Sequence, residues 1–337
     1  MSAWYEPILE RDLVPDALIR VAIRGLIQDR LREEESRDKA AFIEELKRSP
    51  LAIHTDAANE QHYEVPPEFF LLALGPHRKY SCCYWPDSVS TLEDAEHRSL
   101  EQVVERAGLD NGQRILELGC GWGSLSLFMA ERFPRSQITA VSNSRPQREF
   151  IEAQARERGL TNLRVITANM VDFAPDGTFD RIVSVEMFEH MRNYRELFRR
   201  IRTWLNPGGA LFVHIFSHHK FVYPFETRGA GDWMAEHFFT GGIMPSDDLF
   251  SRFSEDLQIA EHWTLDGTHY EKTARAWLEN VDRNRDRVLE IFAKTYGSKD
   301  ALRWLVRWRV FFMAVEELWA TRNGQEWLVS HYLFRPV

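Results

Sequence analysis

Three residues in one short stretch have the side chains that acid–base chemistry needs. They are Glu186, Glu189 and His190, within Val185-Glu186-Met187-Phe188-Glu189-His190-Met191. Two carboxylates and an imidazole favour a cationic guest and can remove its proton. A helical turn here would put all three on one face, because residues three and four apart are neighbours on a helix. The helix dipole gives a plainer reason for acids at such a place, since carboxylates are favoured at helix N-termini. Location favours function. The preceding FDRIVSVE reads as a strand, and ligands of open α/β sheets sit at the carboxyl ends of strands.

A second stretch, Glu117-Leu118-Gly119-Cys120-Gly121-Trp122-Gly123, follows the strand RILELGC and opens a helix. Glycines there let backbone approach a ligand closely, and the helix N–H groups point at it. Gly119, Gly121 and Gly123 alone are compatible with NAD, FAD or S-adenosylmethionine. The departure from G-x-G-x-x-G argues against a dinucleotide. So does the end of the next strand, where a dinucleotide enzyme keeps an acid for the ribose. Here the chain reads Val141-Ser142-Asn143-Ser144-Arg145-Pro146-Gln147, which offers hydroxyls and amides instead. Asn169 and Met170, closing the third strand, can bracket an adenine ring. His214, His218 and His219 raise the question of a metal, but no HExxH pair or Cys–His framework accompanies them, so none is expected. His214, inside an apolar strand, reads as a hydrogen-bonded site residue.

Positioning these groups requires a sheet. From Gln113 the chain alternates strand and helix: RILELGC, SLSLFMAERF, QITAVSN, RPQREFIEAQARERG, LRVITANM, FDRIVSVE, YRELFRRIRTWL, then NPGG and the strand ALFVHIF. Strands separated by helices of about 10–15 residues mark a doubly wound parallel sheet. After Phe216 the alternation stops. Two long helices are expected over Lys272–Phe292 and Asp300–Trp319, flanked by the strands IAEHWTL and EWLVSHYLF, the last pairing at or near a sheet edge. Upstream, Asp16–Glu35 carries Ile19, Ile23, Leu26, Ile27 and Leu31 on one stripe with Arg20, Arg24 and Arg30 opposite, as an amphipathic helix does. A second helix is expected over Lys39–Lys47. The reading is an α/β protein with one Rossmann-like core, a helical N-terminal lid over residues 1–95, a core over 96–219, and residues 220–337 supplying a large helical insertion late in the sheet plus the last core strands.

Composition sets the outer limits. The 337 residues are 44% hydrophobic and 28% charged, which excludes disordered and collagen-like chains. A formal charge of −9 suits neither unspecific nucleic-acid binding nor an anionic membrane surface, so no nucleic-acid partner is expected. No apolar run reaches the roughly 18 residues of a membrane span, and the N-terminus has no secretory pattern. Three cysteines, two of them the neighbours Cys82 and Cys83, indicate a reducing compartment, and the cytoplasm is the expected location. The amphipathic N-terminal helix leaves room for a homodimer. Aromatic content is high, with 22 Phe, 11 Trp and 9 Tyr, which suits large cores or a ring-lined pocket.

ILELGCGWGSLS, VSNSRPQ, SVEMFEHM and NGQEWLVSHYLF together resemble the S-adenosylmethionine-dependent coclaurine N-methyltransferase group of the cyclopropane-fatty-acid synthase superfamily. The resemblance runs from ANEQHYEVP at residue 58 to the C-terminus. It implies a class I methyltransferase sheet and S-adenosylmethionine as cofactor. Tyr80, Ser81, Glu117 and the Gly119–Gly123 loop would hold its methionine end and ribose. Ser142, Asn143 and Gln147 would serve the ribose, Asn169 and Met170 the adenine, and Val185 would complete the set. It further implies Glu189 and His190 as the base for a small amine, of aryl-alkyl or isoquinoline type, with Glu186 as a third acidic group. In the cyclopropane synthases, positions matching Cys82, Glu189, His214 and Tyr270 hold a bicarbonate base, so lipid modification is the competing activity. Those enzymes usually carry a small residue, often Gly, where this chain has Glu186. A second anion there repels bicarbonate and attracts an ammonium. Cys82, His214, Tyr270 and Trp327 are the expected substrate contacts, and Trp233, Phe238, Trp263 and Trp327 the expected aromatic walls, with cation–π contact to an amine.

Overall fold

The computed structural model describes residues 6–53, 65–226 and 241–337. Trp233, Phe238 and most of the ANEQHYEVP stretch lie outside them. Helices α1 (Glu6–Leu9), α2 (Asp16–Glu35), α3 (Lys39–Leu46), α4 (Pro67–Ala73) and α5 (Leu92–Ala107) precede the sheet. The core follows as β1 (Arg114–Leu118), α6 (Ser124–Arg132), β2 (Gln137–Ser142), α7 (Arg145–Glu157), β3 (Leu163–Thr167), β4 (Phe179–Val185), α8 (Tyr194–Trp204) and β5 (Leu205–His218). A small hairpin-like pair, β6 (Tyr223–Pro224) and β7 (Ile243–Met244), leads to β8 (Leu257–Leu265). Then come α9 (Thr268–Arg283), α10 (Arg285–Tyr296), α11 (Ala301–Ala320) and β9 (Trp327–Pro336).

The seven-stranded sheet has the order β3-β2-β1-β4-β5-β9-β8. The first five strands are parallel, whereas β9 runs antiparallel to both β5 and β8. The sheet is therefore an α/β sheet of mixed direction, with three helices between its last two strands in sequence. β9 is an inner strand and β8 forms the edge. The NPGG tetrapeptide, Asn206–Gly209, interrupts the β4–β5 ladder as a bulge between the pairs Phe179–Leu205 and Arg181–Ala210.

Tertiary contacts redraw two of the helical expectations. The stretch Lys272–Phe292 is two helices, broken at Asn284. The amide of Asn284 donates to the Leu72 carbonyl and that of Asn280 to the Ala73 carbonyl, so both serve the free carbonyls ending α4. In α2, Ile19, Ile23, Ile27 and Leu31 are buried as their spacing requires, but Leu26 is 42% exposed. Arg20, and Arg24 from an exposed position, both reach toward α11. They pair with Glu316 and Glu317 of α11 at 2.6–2.8 Å, and Arg309 of α11 reaches back to Asp16 at 2.7 Å. Ile19, Phe69, Trp277 and Phe312 belong to one apolar cluster, so α2, α4 and the helices after β8 form a single mass over one end of the sheet.

Trp327 belongs to this mass and not to the pocket wall. It is fully buried, and its indole N–H donates to the Tyr223 hydroxyl at 3.2 Å. Trp327→Phe is expected to cost about 1–3 kcal/mol of stability through lost volume and a lost hydrogen bond, leaving KM for the acceptor unchanged. Thermal melts beside initial-rate kinetics check both halves.

Candidate active site

The carboxyl ends of β1, β2 and β4 open onto one cavity beneath the helical mass. Gly119, at φ +83°, lets Met187 of the β4 loop close against it: an added β-carbon would lie 2.7 Å from the Met187 side chain. Gly121, at φ +49°, faces open space in the same cavity. Gly123 opens α6 outside the lining, where it packs so closely on Ile151 that a β-carbon would sit 2.6 Å away. Glu117 lines the cavity, yet its carboxylate accepts from the Ser126 hydroxyl, and burial pushes its pKa up to about 7. That bond ties the end of β1 to α6 across the glycine loop. Ser142 donates to Gln147 Oε1 at 2.7 Å, and both line the cavity with Asn143, Asn169, Met170 and Val185. Ser124 Oγ, buried in the first turn of α6, has no hydrogen-bond partner among the described residues. Open space at Gly121, an unpartnered hydroxyl at a helix start and amide-rich strand ends fit a nucleoside-type cofactor.

Opposite lies the carboxylate pair. Glu186 ends β4 with φ +46°, a left-handed conformation costing a non-glycine residue about 1–3 kcal/mol. The turn sends its side chain back across the cavity. Oε1 accepts from the Cys82 backbone N–H at 2.9 Å and lies 3.2 Å from His214 Nε2, while the Tyr270 hydroxyl donates to Oε2 at 2.7 Å. Glu189 follows in a single 3₁₀ turn, Phe188–His190, so no common helix face unites the three residues. A sharp turn brings them to one cavity. Glu189 is 2% exposed and its Oε2 has no hydrogen-bond partner among the described residues. Its burial, then the neighbouring Glu186 charge, holds its carboxyl well above the usual range. Burial also raises Glu186, but Lys79, the Cys82 N–H and the Tyr270 hydroxyl oppose the shift. The two acids are thus unlike: both oxygens of Glu186 accept from neighbours, whereas Glu189 has one oxygen without a partner among the described residues. His190 lines the same cavity and is half-buried.

Tyr80 and Ser81 line the cavity, while Cys82 and His214 join the site through Glu186. Glu96 of α5 anchors this segment by accepting N–H bonds from Gly75, His77 and Lys79. The buried Lys79 ammonium donates to Ser81 Oγ and the Cys82 carbonyl, adding a cation beside Glu186 that sequence reading missed. The aromatic walls also differ from expectation. Trp263 stands at a separate cleft near the β8 edge of the sheet with Arg106. Among the described residues, the cavity's rings are Phe70, Tyr80, Trp122, Phe216, Tyr270, Trp277 and Phe311. The seven-residue spacing of Tyr270 and Trp277 on α9 was a readable signal for two of them.

His218, His219 and Glu326 cluster within metal-binding distance of one another. His218 Nδ1, however, accepts from the Lys220 and Phe221 N–H groups, so its proton sits on Nε2, 3.0 Å from Glu326 Oε1. A nitrogen carrying hydrogen has no lone pair for an ion.

Dinucleotide-binding sheets are mostly parallel and keep an acid after the second strand. An antiparallel β9 beside β5, with hydroxyl and amide groups after β2, defines instead a class I S-adenosylmethionine-dependent methyltransferase. The chain belongs to the mycolic acid cyclopropane synthetase family, whose model matches residues 52–312, and within it to the coclaurine N-methyltransferase group. (S)-Coclaurine N-methyltransferase of Thalictrum flavum subsp. glaucum is 37% identical over 97% of this chain and 94% of its own. A crystal structure of coclaurine N-methyltransferase bound to N-methylheliamine and S-adenosylhomocysteine superposes with a TM-score of 0.93 at 35% identity, covering 98% of each chain. A cyclopropane synthase of Mycobacterium tuberculosis shares the fold, with a TM-score of 0.69 at 22% identity over 85% of this chain and 99% of that one. No helix among the described residues is long and apolar enough to cross a membrane.

Proposed function

We propose that this enzyme N-methylates a small aryl-alkyl or isoquinoline-type amine, with Glu189 and His190 as the base and Glu186 as a fixed anion. One observation carries the reading. Glu186 places its own carboxylate on the Cys82 N–H, His214 and the Tyr270 hydroxyl. By resemblance, those groups hold bicarbonate in the lipid-modifying enzymes. Here the chain has filled them with a carboxylate of its own, and that group, when ionised, rejects a second anion and attracts an ammonium.

An aliphatic amine arrives mostly protonated, with a reference pKa near 10 like a lysine side chain. Its ammonium lies between aromatic faces and two carboxyl groups, and a cation there lowers Glu189 back toward the range in which it accepts a proton. Glu189, beside His190, takes that proton and frees the nitrogen lone pair. Glu186 stays ionised and stabilises the positive charge that returns to nitrogen as the N–C bond forms. S-Adenosylmethionine, when bound, supplies the methyl group as an electrophile and leaves as a neutral thioether. Tyr80, Trp277 and Phe70, with ring centroids 5.1–5.5 Å apart, form an aromatic wall that excludes water and orients an aryl group. The three buried free thiols support a cytoplasmic location.

Incubating the enzyme with methyl-labelled cofactor, once with secondary and tertiary aryl-alkyl amines and once with unsaturated phospholipid vesicles, tests the reading. Label is expected in the amine fraction. Label confined to lipid overturns it.

A further inference from the structure

Outside the cavity, an unbroken line of hydrogen bonds runs from Glu186 along one face of the sheet toward its β8 edge. His214 Nε2 lies 3.2 Å from Glu186 Oε1, His214 Nδ1 lies 2.8 Å from His331 Nε2, and His331 Nδ1 lies 2.7 Å from an Arg106 guanidinium nitrogen. Sheet register builds this line. His331 on β9 stands directly across from His214 on β5 and from Trp263 on β8. Arg106, in the last turn of α5, covers that row, with its guanidinium carbon 5.1 Å from the centre of the Trp263 ring. Stacking on an indole holds the planar guanidinium in one orientation.

Direction follows from chemistry. A guanidinium only donates. Its bond to His331 Nδ1 therefore makes that nitrogen an acceptor and puts the ring hydrogen on Nε2. That hydrogen makes His214 Nδ1 an acceptor in turn and puts the second ring hydrogen on Nε2, aimed at Glu186.

We propose that Arg106, acting through His331 and His214, is a positioning residue of this active site: it fixes both imidazole tautomers so that a donor always faces Glu186 and keeps that residue the anion of the pair. The inference rests on the function proposed above, since it assigns the proton exchange to Glu189. Both rings are fully buried and neutral, because burial and the nearby charges of Arg106 and Lys79 hold their pKa values well below the ordinary imidazole range. For a neutral imidazole the tautomer is a true choice, and Arg106 makes it. The charged and titratable groups facing Glu186 are Lys79, Tyr80, Cys82 and Cys83 from the segment before α5, Glu189 and His190 from its own loop, His214 from β5 and Tyr270 from α9. His331 faces Arg106, His214 and, from β8, His262. The line is not a proton exit, because a guanidinium cannot accept a proton from His331.

Four variants test the inference. Arg106→Met removes the donor at similar length, and Arg106→Lys restores a donor. His331→Gln keeps the direction, since its amide oxygen can accept from Arg106 and its NH₂ can donate to His214, although an amide cannot pass a proton along. His331→Leu breaks the line. The first readout is the imidazole ¹⁵N spectrum of ligand-free protein, which assigns tautomers without any substrate. The second is the pH profile of kcat/KM with a secondary aryl-alkyl amine.

Wild type is expected to show both rings protonated at Nε2 alone. Arg106→Met and His331→Leu are expected to lose about tenfold in kcat/KM and to move the acid limb about one unit higher, as a carboxylate pair losing a donor binds its proton more tightly. Arg106→Lys and His331→Gln are expected to keep the wild-type limb. A wild-type spectrum with hydrogen on Nδ1, or an unmoved limb in Arg106→Met, overturns the inference. Equal loss in His331→Gln and His331→Leu also overturns it, by revealing proton transfer along the line. Absence of amine turnover in wild type sinks the functional reading alone, and the spectrum still judges the tautomers.

Discussion

Replacing Glu189 with Gln is expected to lower amine turnover by at least about 100-fold near neutral pH, the scale of a lost general base. Cofactor binding is expected to persist, because Glu189 lies beyond the glycine cradle and no described residue hydrogen-bonds its Oε2. The pH dependence distinguishes a lost base from a damaged fold. A site with no base depends on amine that arrives already deprotonated. The variant's rate should therefore climb about tenfold per pH unit toward the amine's own pKa near 10, while the wild-type rate levels off above the pKa of Glu189. Initial rates from pH 6 to 10, with calorimetry of S-adenosylhomocysteine binding, measure both. A pH-independent loss would mean that Glu189 positions the substrate and leaves its proton alone.

Glu186→Gln tests the other half of the pair. The substitution is nearly isosteric. The amide oxygen can keep the Cys82 N–H and His214 bonds, while the Tyr270 hydroxyl turns to accept from the new NH₂. Charge is lost with little change in geometry, and turnover is expected to fall by at least about tenfold as nitrogen loses its compensating anion. The acid limb should move in the opposite direction from that of Arg106→Met. The Glu186 charge is one of the causes that raise Glu189. Without it, Glu189 deprotonates more readily, so the limb shifts to lower pH even as the plateau drops. A lower plateau with an unmoved limb would show that the two carboxylates do not interact.

That unlikeness of two acids three residues apart could not be read from their spacing. Glu186 gathers three donors because its left-handed backbone turns it toward His214 on β5 and toward two groups more than 80 positions away in the sequence, the Cys82 N–H and the Tyr270 hydroxyl on α9. The glycine loop was legible because close backbone approach requires glycine and leaves few alternatives. Ser142 and Gln147 were legible because the position after β2 normally holds an acid, so their chemistry stood out against a rule. Trp263 and Trp327 were assigned to the cavity by residue type alone. Bulk and aromaticity suit core and pocket equally, and only packing separates them.

The sequence by itself determined the strand–helix alternation, the cofactor loop, the Glu-x-x-Glu-His cluster and the buried stripe of α2. Each of these follows from local periodicity or from a backbone conformation that few residues can adopt. Tertiary structure decided where α9 ends and α10 begins, which rings line the cavity, and that β9 lies inside the sheet with β8 at its edge. It also placed His331 between His214 and Arg106. Register across strands brings residues 117 positions apart into hydrogen-bond contact. A chain read in one dimension carries each residue's chemistry, but its electrostatics depend on neighbours that only folding supplies.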